Sequence, residues 1–266
     1  ATIEGHPVVD FDGDGTLSDR VPVGDVAEFF SINEANGIVD PRRKSVEIDN
    51  CNACHSALVL HGSNRADNID SCVTCHNPRN TDRRRRDGAD EPPEDGKQEE
   101  SVDFKVMVHA IHAAGIRQEP ITVYGFGSSA HVYDEEHVRY PGDLSNCTAC
   151  HTEDGYTLPL EDGVLATSVD TGDDRQSPLD DTVTTPATAV CASCHDDNVA
   201  AAHMESNGGN FSTTQKAIDD GDVVEQCSIC HSEGSSAAVS VVHGIDYSPA
   251  QTDQAPAPRG LFYCAV

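Results

Sequence analysis

The sequence predicts a coil-dominated chain with short α-helices and a small β-leaning N-terminal segment, folded around a core that its own side chains do not supply. Three observations carry that expectation. The 266 residues include six Tyr, seven Phe and no Trp, with a hydrophobic share of 37% and a mean hydropathy of -0.45. That is thin material for a conventional apolar interior of this length. Lys and Arg number 17 against 46 Asp and Glu, a formal charge of -29, which excludes nucleic acid and anionic lipid surfaces as partners. Finally, ten of the eleven Cys fall into five pairs with one spacing.

The pairs read CNACH (Cys51, Cys54, His55), CVTCH (Cys72, Cys75, His76), CTACH (Cys147, Cys150, His151), CASCH (Cys191, Cys194, His195) and CSICH (Cys227, Cys230, His231). Two thiols two residues apart match the two vinyl groups of one porphyrin, and the following His is placed to bind its iron, so C-x-x-C-H marks covalent haem c attachment. Composition alone would give roughly 0.02 such motifs by chance. The rival is zinc, because Cys51, Cys54, Cys72 and Cys75 have the spacing of a four-thiolate ribbon. Zinc does not account for a His after every pair, and an odd number of pairs leaves one without a partner. Plain disulfides leave the fixed spacing unexplained. The expected fold class is therefore a multihaem cytochrome c, with five haem c groups as its core.

In chain order, residues 1–45 hold no haem motif, and the short apolar runs of VPVGDVAEFFSI suggest strand, giving an N-terminal β-leaning cap. Residues 46–248 form the pentahaem domain, and 249–266 a linker-like tail. Within the cap, VVDFDGDGTLSD resembles a phosphatase nucleophile motif, but the haem motifs leave no room for that fold. The same segment is a candidate calcium loop through Asp10, Asp12 and Asp14, although Val21 stands where a calcium-binding helix–loop–helix has its bidentate Glu. Residues 79–100, with five Arg followed by acids and Pro-Pro, suggest a surface loop whose guanidinium groups suit haem propionates or an acidic partner face. Residues 160–188 suggest a long excursion between the third and fourth motifs. Cys264 is the odd thiol: buried, free or bonded to another chain.

Each haem needs a sixth ligand or an open face. Of 13 His, five are proximal, and the rest exceed the five that bis-His ligation of every haem requires. SVDFKVMVHAIHAAG predicts a helix with Ser101 or Asp103 as N-cap and Gly115 as its stop, placing His109 and His112 on one face and suiting two different haems. His61 follows the first motif, His203 lies on a predicted helix ending at Asn207–Gly209, and His243 follows the last motif. These five are the candidate distal ligands. His6, His131 and His137, in turn-rich or charged stretches, are expected at the surface. Met107 and Met204 neighbour ligand candidates and are expected to pack on porphyrin.

The runs CNACHSALVLHGSNR, CVTCHNPRNTD, VDFKVMVHAIHAAGI, VRYPGDLSNCTACH, CASCHDDNVAAAHMESNGG, and CSICH followed by VVHG resemble one pentahaem half of the OmcA/MtrC family, the outer-surface multihaem c-type cytochromes of extracellular electron transfer. The likeness spans roughly residues 46 to 244. It implies closely spaced bis-His haems, export to the outer cell surface, and electron delivery to external acceptors or partner cytochromes. It also implies His61, His109, His112, His203 and His243 as distal ligands. Family members usually carry ten haems, two β-domains and a lipidated N-terminal Cys, whereas this sequence has five motifs and opens at Ala1 without a signal peptide. The expectation is an already exported extracellular carrier or a subunit stacking with copies of itself into a filament, with no transmembrane segment. The chain is expected to be an electron carrier or conduit, without catalytic residues. The alternative is a multihaem reductase with one open haem acting on a small oxyanion. The acid excess is led by Asp, 30 against 16 Glu, as in proteins of high-salt habitats.

Overall fold

The computed structural model describes residues 1–32, 39, 41–152 and 155–245; Cys264 and most of the expected tail lie outside these. The described chain is mostly turn and coil punctuated by short helices and two-stranded ribbons, the architecture expected from the sequence. It divides into two compact units, residues 1–75 with 147–155, and 76–146 with residues from 156 onward.

In the first unit, β1 (Thr2–Ile3) pairs with β4 (Val26–Ala27), while β2 (Val8–Val9) pairs with β3 (Asp19–Arg20). The strands are short because acidic residues and Gly or Pro interrupt the apolar runs: Glu4 and Gly5 after β1, Pro7 and Asp10 around β2, Asp25 and Glu28 around β4. The turn between β2 and β3 is organised by Asp10, whose carboxylate accepts the backbone N–H groups of Gly13, Asp14 and Gly15. Helix α1 (Ile48–His55) carries the first motif. A hairpin of β5 (Val59–Leu60) and β6 (Arg65–Ala66) follows, then α2 (Ile69–Cys75) with the second pair of thiols. Asp25, only 8% exposed, binds this region together. Its N–H donates to the Ala66 carbonyl at 2.9 Å, its own carbonyl accepts Asn68 Nδ2 at 2.9 Å, and its carboxylate accepts the Ser71 hydroxyl at 2.7 Å.

In the second unit, the stretch 79–100 is mostly exposed, as expected of a surface segment, but it contains a short helix, α3 (Arg83–Arg86), and buries Asp82, Arg86 and Glu99. Arg86 is 4% exposed. Its Nε donates to both Asp82 oxygens at 2.8 Å, and its terminal nitrogens donate to Asp95, the Lys97 carbonyl and the Thr122 carbonyl. Its guanidinium also stacks 4.8 Å from the Tyr124 ring centre. Arg83 donates to buried Glu99 and to the Gly172 carbonyl. Arg84 and Arg85 remain exposed; in a sequence Arg86 looks equally solvated because the acids that neutralise it are scattered, and burying it works only when its donors are matched.

Helix α4 (Phe104–His112) forms where expected with Asp103 at its N-cap position, but the Asp103 side chain makes no capping hydrogen bond. The Asp103 carboxylate instead accepts the Thr167 hydroxyl at 2.6 Å and pairs with Lys105. Strands β7 (Ile121–Tyr124) and β8 (Ala130–Tyr133) form one ribbon, and β9 (Thr167–Asp170) and β10 (Thr182–Thr184) another. The second ribbon gives structure to the predicted excursion. Helices α5 (Pro186–Ala192), α6 (Asn198–Ser206), α7 (Gln215–Asp219), α8 (Ser228–His231) and α9 (Val239–His243) complete the unit. Helix α6 begins at Asp197, whose carboxylate accepts the N–H groups of Val199 and Ala200. It stops at Gly208, where φ is +82° and a β-carbon would meet the Val224 carbonyl oxygen.

Most of the apolar side chains buried among the described residues are small, with Ile121, Tyr124, Val183 and Met204 as larger exceptions. Ala110, Ala113, Ala114, Ala166, Ala187 and Ala189 line the interior, and the largest fully buried side chains are Thr167, Thr185 and Thr188. Large apolar groups beside the motifs stay exposed, among them Ile229 at 72%, within the fifth motif itself.

Candidate haem-binding site

Every motif adopts a helical turn. The first ends α1, the second occupies the end of α2, and the third lies on a 3-10 turn at Cys147–Ala149. In the third, fourth and fifth, the His N–H donates to the carbonyl of the first Cys at 2.9, 2.9 and 3.0 Å. One such turn brings thiols at i and i+3 to the same side, with the imidazole beside them. The first and third motifs are neighbours: Asn50 Nδ2 donates to the Cys150 carbonyl at 3.0 Å, and Val46 bridges His151 in an isolated antiparallel pair.

The four-thiolate zinc alternative finds no support. Among the described residues, the group of three or more metal-donor side chains whose ligand atoms converge is Asp10, Asp12 and Asp14, within 4.8 Å of one another. A tetrahedral zinc site would bring the thiols of Cys51, Cys54, Cys72 and Cys75 equally close. Burial raises the thiols of Cys51, Cys147 and Cys150 above their ordinary range. It pushes Cys72 up to about 11 with help from the Asp25 charge, and Cys227 up to about 11 with help from Glu225. Thiols so displaced are not activated nucleophiles.

Five of the candidate histidines share an orientation. Nδ1 of His76 lies 2.8 Å from the Val102 carbonyl and that of His231 2.7 Å from the Ala237 carbonyl. On α4, Nδ1 of His109 and His112 reaches the Lys105 and Val108 carbonyls at 2.6 and 2.8 Å, and on α9 His243 reaches the Val239 carbonyl at 2.9 Å. A carbonyl only accepts, so the proton sits on Nδ1 and the lone pair on Nε2, the arrangement that orients an imidazole toward a metal.

Two ring pairs come together. His195 of the fourth motif and His243 have ring centres 6.1 Å apart, and His231 of the fifth motif and His203 are also 6.1 Å apart. Imidazole nitrogen binds a metal at about 2 Å, and each ring centre lies about 1 Å further back, so two imidazoles clasping one ion stand about 6 Å apart. The residues therefore fit a haem iron held from both faces. The pairs are nested: His203 and His231 both lie between His195 and His243 in the sequence.

A family model for outer membrane cytochromes, MtrC/MtrF-like, domains II/IV, matches residues 43–244. The chain belongs to that family. Haem c is thus the cofactor of this MtrC/MtrF-like domain, and its C-x-x-C-H motifs are the matching attachment sequences. The crystal structure of the outer membrane decaheme cytochrome OmcA is similar at 23% identity and a TM-score of 0.40. That similarity covers 79% of this chain and 25% of OmcA, so the chain spans a quarter of that protein's length. No curated protein matches the sequence. No helix among the described residues is long and apolar enough to cross a membrane.

The remaining candidates are placed as follows. His61 is exposed at the β5–β6 turn, with φ +54°. His112 stands edge-on to Tyr140 at 5.9 Å, a neighbour the sequence did not suggest. Met204 is buried. His131 and His137 are exposed as expected, His137 hydrogen-bonded to Asp134. His6 differs: its Nδ1 is buried without a hydrogen-bond partner. Two residues that position the fourth motif also escaped the sequence reading. Glu225 accepts the N–H groups of Ala187 and Thr188 and the hydroxyls of Thr185 and Thr188 at the start of α5, and Arg117 engages the other end of the motif. Their partners are distant in sequence, so no local pattern marks them.

Proposed function

We propose that this domain is an electron-transfer module carrying five covalently attached haems, each ligated by two histidines, with no substrate binding at iron. The haems attach through Cys51 and Cys54, Cys72 and Cys75, Cys147 and Cys150, Cys191 and Cys194, and Cys227 and Cys230. His55, His76, His151, His195 and His231 are the proximal ligands, and His61, His109, His112, His203 and His243 the distal ones. The observation that carries this reading is the pair of 6.1 Å ring separations, the spacing expected of two imidazoles sharing one iron.

The haem supplies the redox-active iron; the chain supplies ligands, geometry and insulation. Carbonyl contacts at Nδ1 hold the imidazoles ready to bind and make them stronger donors. Placement of His109 and His112 one turn apart on α4 assigns them to two haems that a single rigid element holds in close sequence, as a relay needs. The family supports a place at the outer cell surface, with external acceptors and other cytochromes as electron partners. Stacking of copies into a filament would extend the same relay. Visible and EPR spectra of the loaded protein test the proposal: a fully low-spin set supports it, and a high-spin haem in the untreated protein refutes it.

A further inference from the structure

The fourth haem motif is gripped by a charged pair that the ligand set does not require. Arg117 follows α4 through the buried Ala113–Ala114 turn, with its N–H donating to the Ala113 carbonyl at 3.1 Å. Its guanidinium donates to the carbonyls of Ala192 and Ser193 at 3.1 and 2.6 Å, the two residues between Cys191 and Cys194. It also lies 3.4 Å from the carboxylate of Asp196, the residue after His195, and each side chain is only 13% exposed. Asp196 in turn accepts the N–H groups of Gln118 and Glu119. A permanent cation thus lies against the attachment loop and an anion directly beside the proximal ligand, both largely shielded from water.

We propose that Arg117 and Asp196 form a balanced charge clamp on the fourth haem, in which each member shifts that haem's reduction potential and the other offsets it. This rests on the electron-transfer reading above. Reduction adds one electron to iron(III) to give iron(II), lowering the positive charge at the site by one. A nearby cation therefore favours the reduced state and an anion the oxidised state, and partial burial keeps both effects strong. The pair nearly cancels, so its members act in opposition and removing either one exposes the other.

The test is a spectroelectrochemical titration of the full haem-loaded chain, with dithionite as the electron donor and haem content measured in parallel. Arg117→Gln shifts one of five one-electron steps to lower potential, Asp196→Asn shifts one step to higher potential, and the double variant returns it close to the starting value. Arg117→Lys, which keeps the charge and loses the fork, stays near the original value. Opposite signs distinguish electrostatic tuning from simple loosening, which would move both single variants the same way. Same-sign shifts, unmoved steps with five haems present, or loss of a haem in both single variants overturn the clamp alone. An unmodified protein lacking haem at Cys191 and Cys194 overturns the clamp together with the reading beneath it.

Discussion

Nested pairing of the last two haem sites makes a prediction that ordinary single substitutions do not. His195 faces His243 and His231 faces His203, each at 6.1 Å, so under the proposed ligation His195 and His243 would serve one iron while His195 and His203 would serve two. Removing His243 alone exposes one face of the fourth iron, and about one fifth of the haem becomes high-spin. Adding His195→Ala to His243→Ala damages only the same iron again, and the low-spin population stays at about four fifths of the original. Combining His195→Ala with His203→Ala damages two irons, and it falls to about three fifths. Quantitative EPR spin counting on the oxidised proteins, normalised to protein concentration, measures both. Equal loss in the two double variants, or greater loss in the first, refutes the pairing.

Four further outcomes follow from interactions away from the irons. Arg86→Ala leaves the Asp82 carboxylate buried and unpaired, at a cost of about 3–5 kcal/mol in denaturant unfolding; recovery on adding Asp82→Asn identifies the charge as the cause. Against desolvation, Arg86 and the Lys97 N–H hold Asp95 below the usual carboxylate range. Its stabilising contribution is therefore present above its ordinary pKa near 4 and lost as pH falls through the lowered value, so stability falls in acid more steeply for the original protein than for Asp95→Asn. Glu225→Ala removes the acceptor of two backbone N–H groups and two hydroxyls at the start of α5, a loss of about 2–3 kcal/mol read by the same unfolding. With a formal charge of -29, the fold loosens as ionic strength is lowered, seen as faster backbone hydrogen exchange; exchange rates that do not change with salt contradict self-repulsion.

Covalent chemistry made the attachment sites legible, because C-x-x-C-H is a local requirement of one porphyrin and needs no knowledge of the fold. The helix that carries His109 and His112 was legible from its local pattern: it is amphipathic, ends near Gly115, and forms as Phe104–His112. The predominance of coil followed from the scarcity of large apolar residues, and the structure accordingly buries Ala and Thr. Pairing was not legible, because His243 meets His195 only after the chain has passed the fifth motif and returned. Nor was the role of Arg86, whose acids Asp82 and Asp95 look like solvent-facing charge until a third segment supplies the Thr122 carbonyl. Asp103 had the right position for a cap, but a buried Thr167 hydroxyl competes for its carboxylate. Local chemistry is written in the sequence; contacts settled by competition between distant segments are not.

The most direct test of the account is the visible and EPR spectrum of the purified, haem-loaded chain, oxidised and reduced, with haem quantified per polypeptide. It predicts five haems per chain, all low-spin, with no high-spin signal. A high-spin fraction near one haem in five would mean an iron open to substrate, contradict the saturated relay, and give the reductase reading precedence.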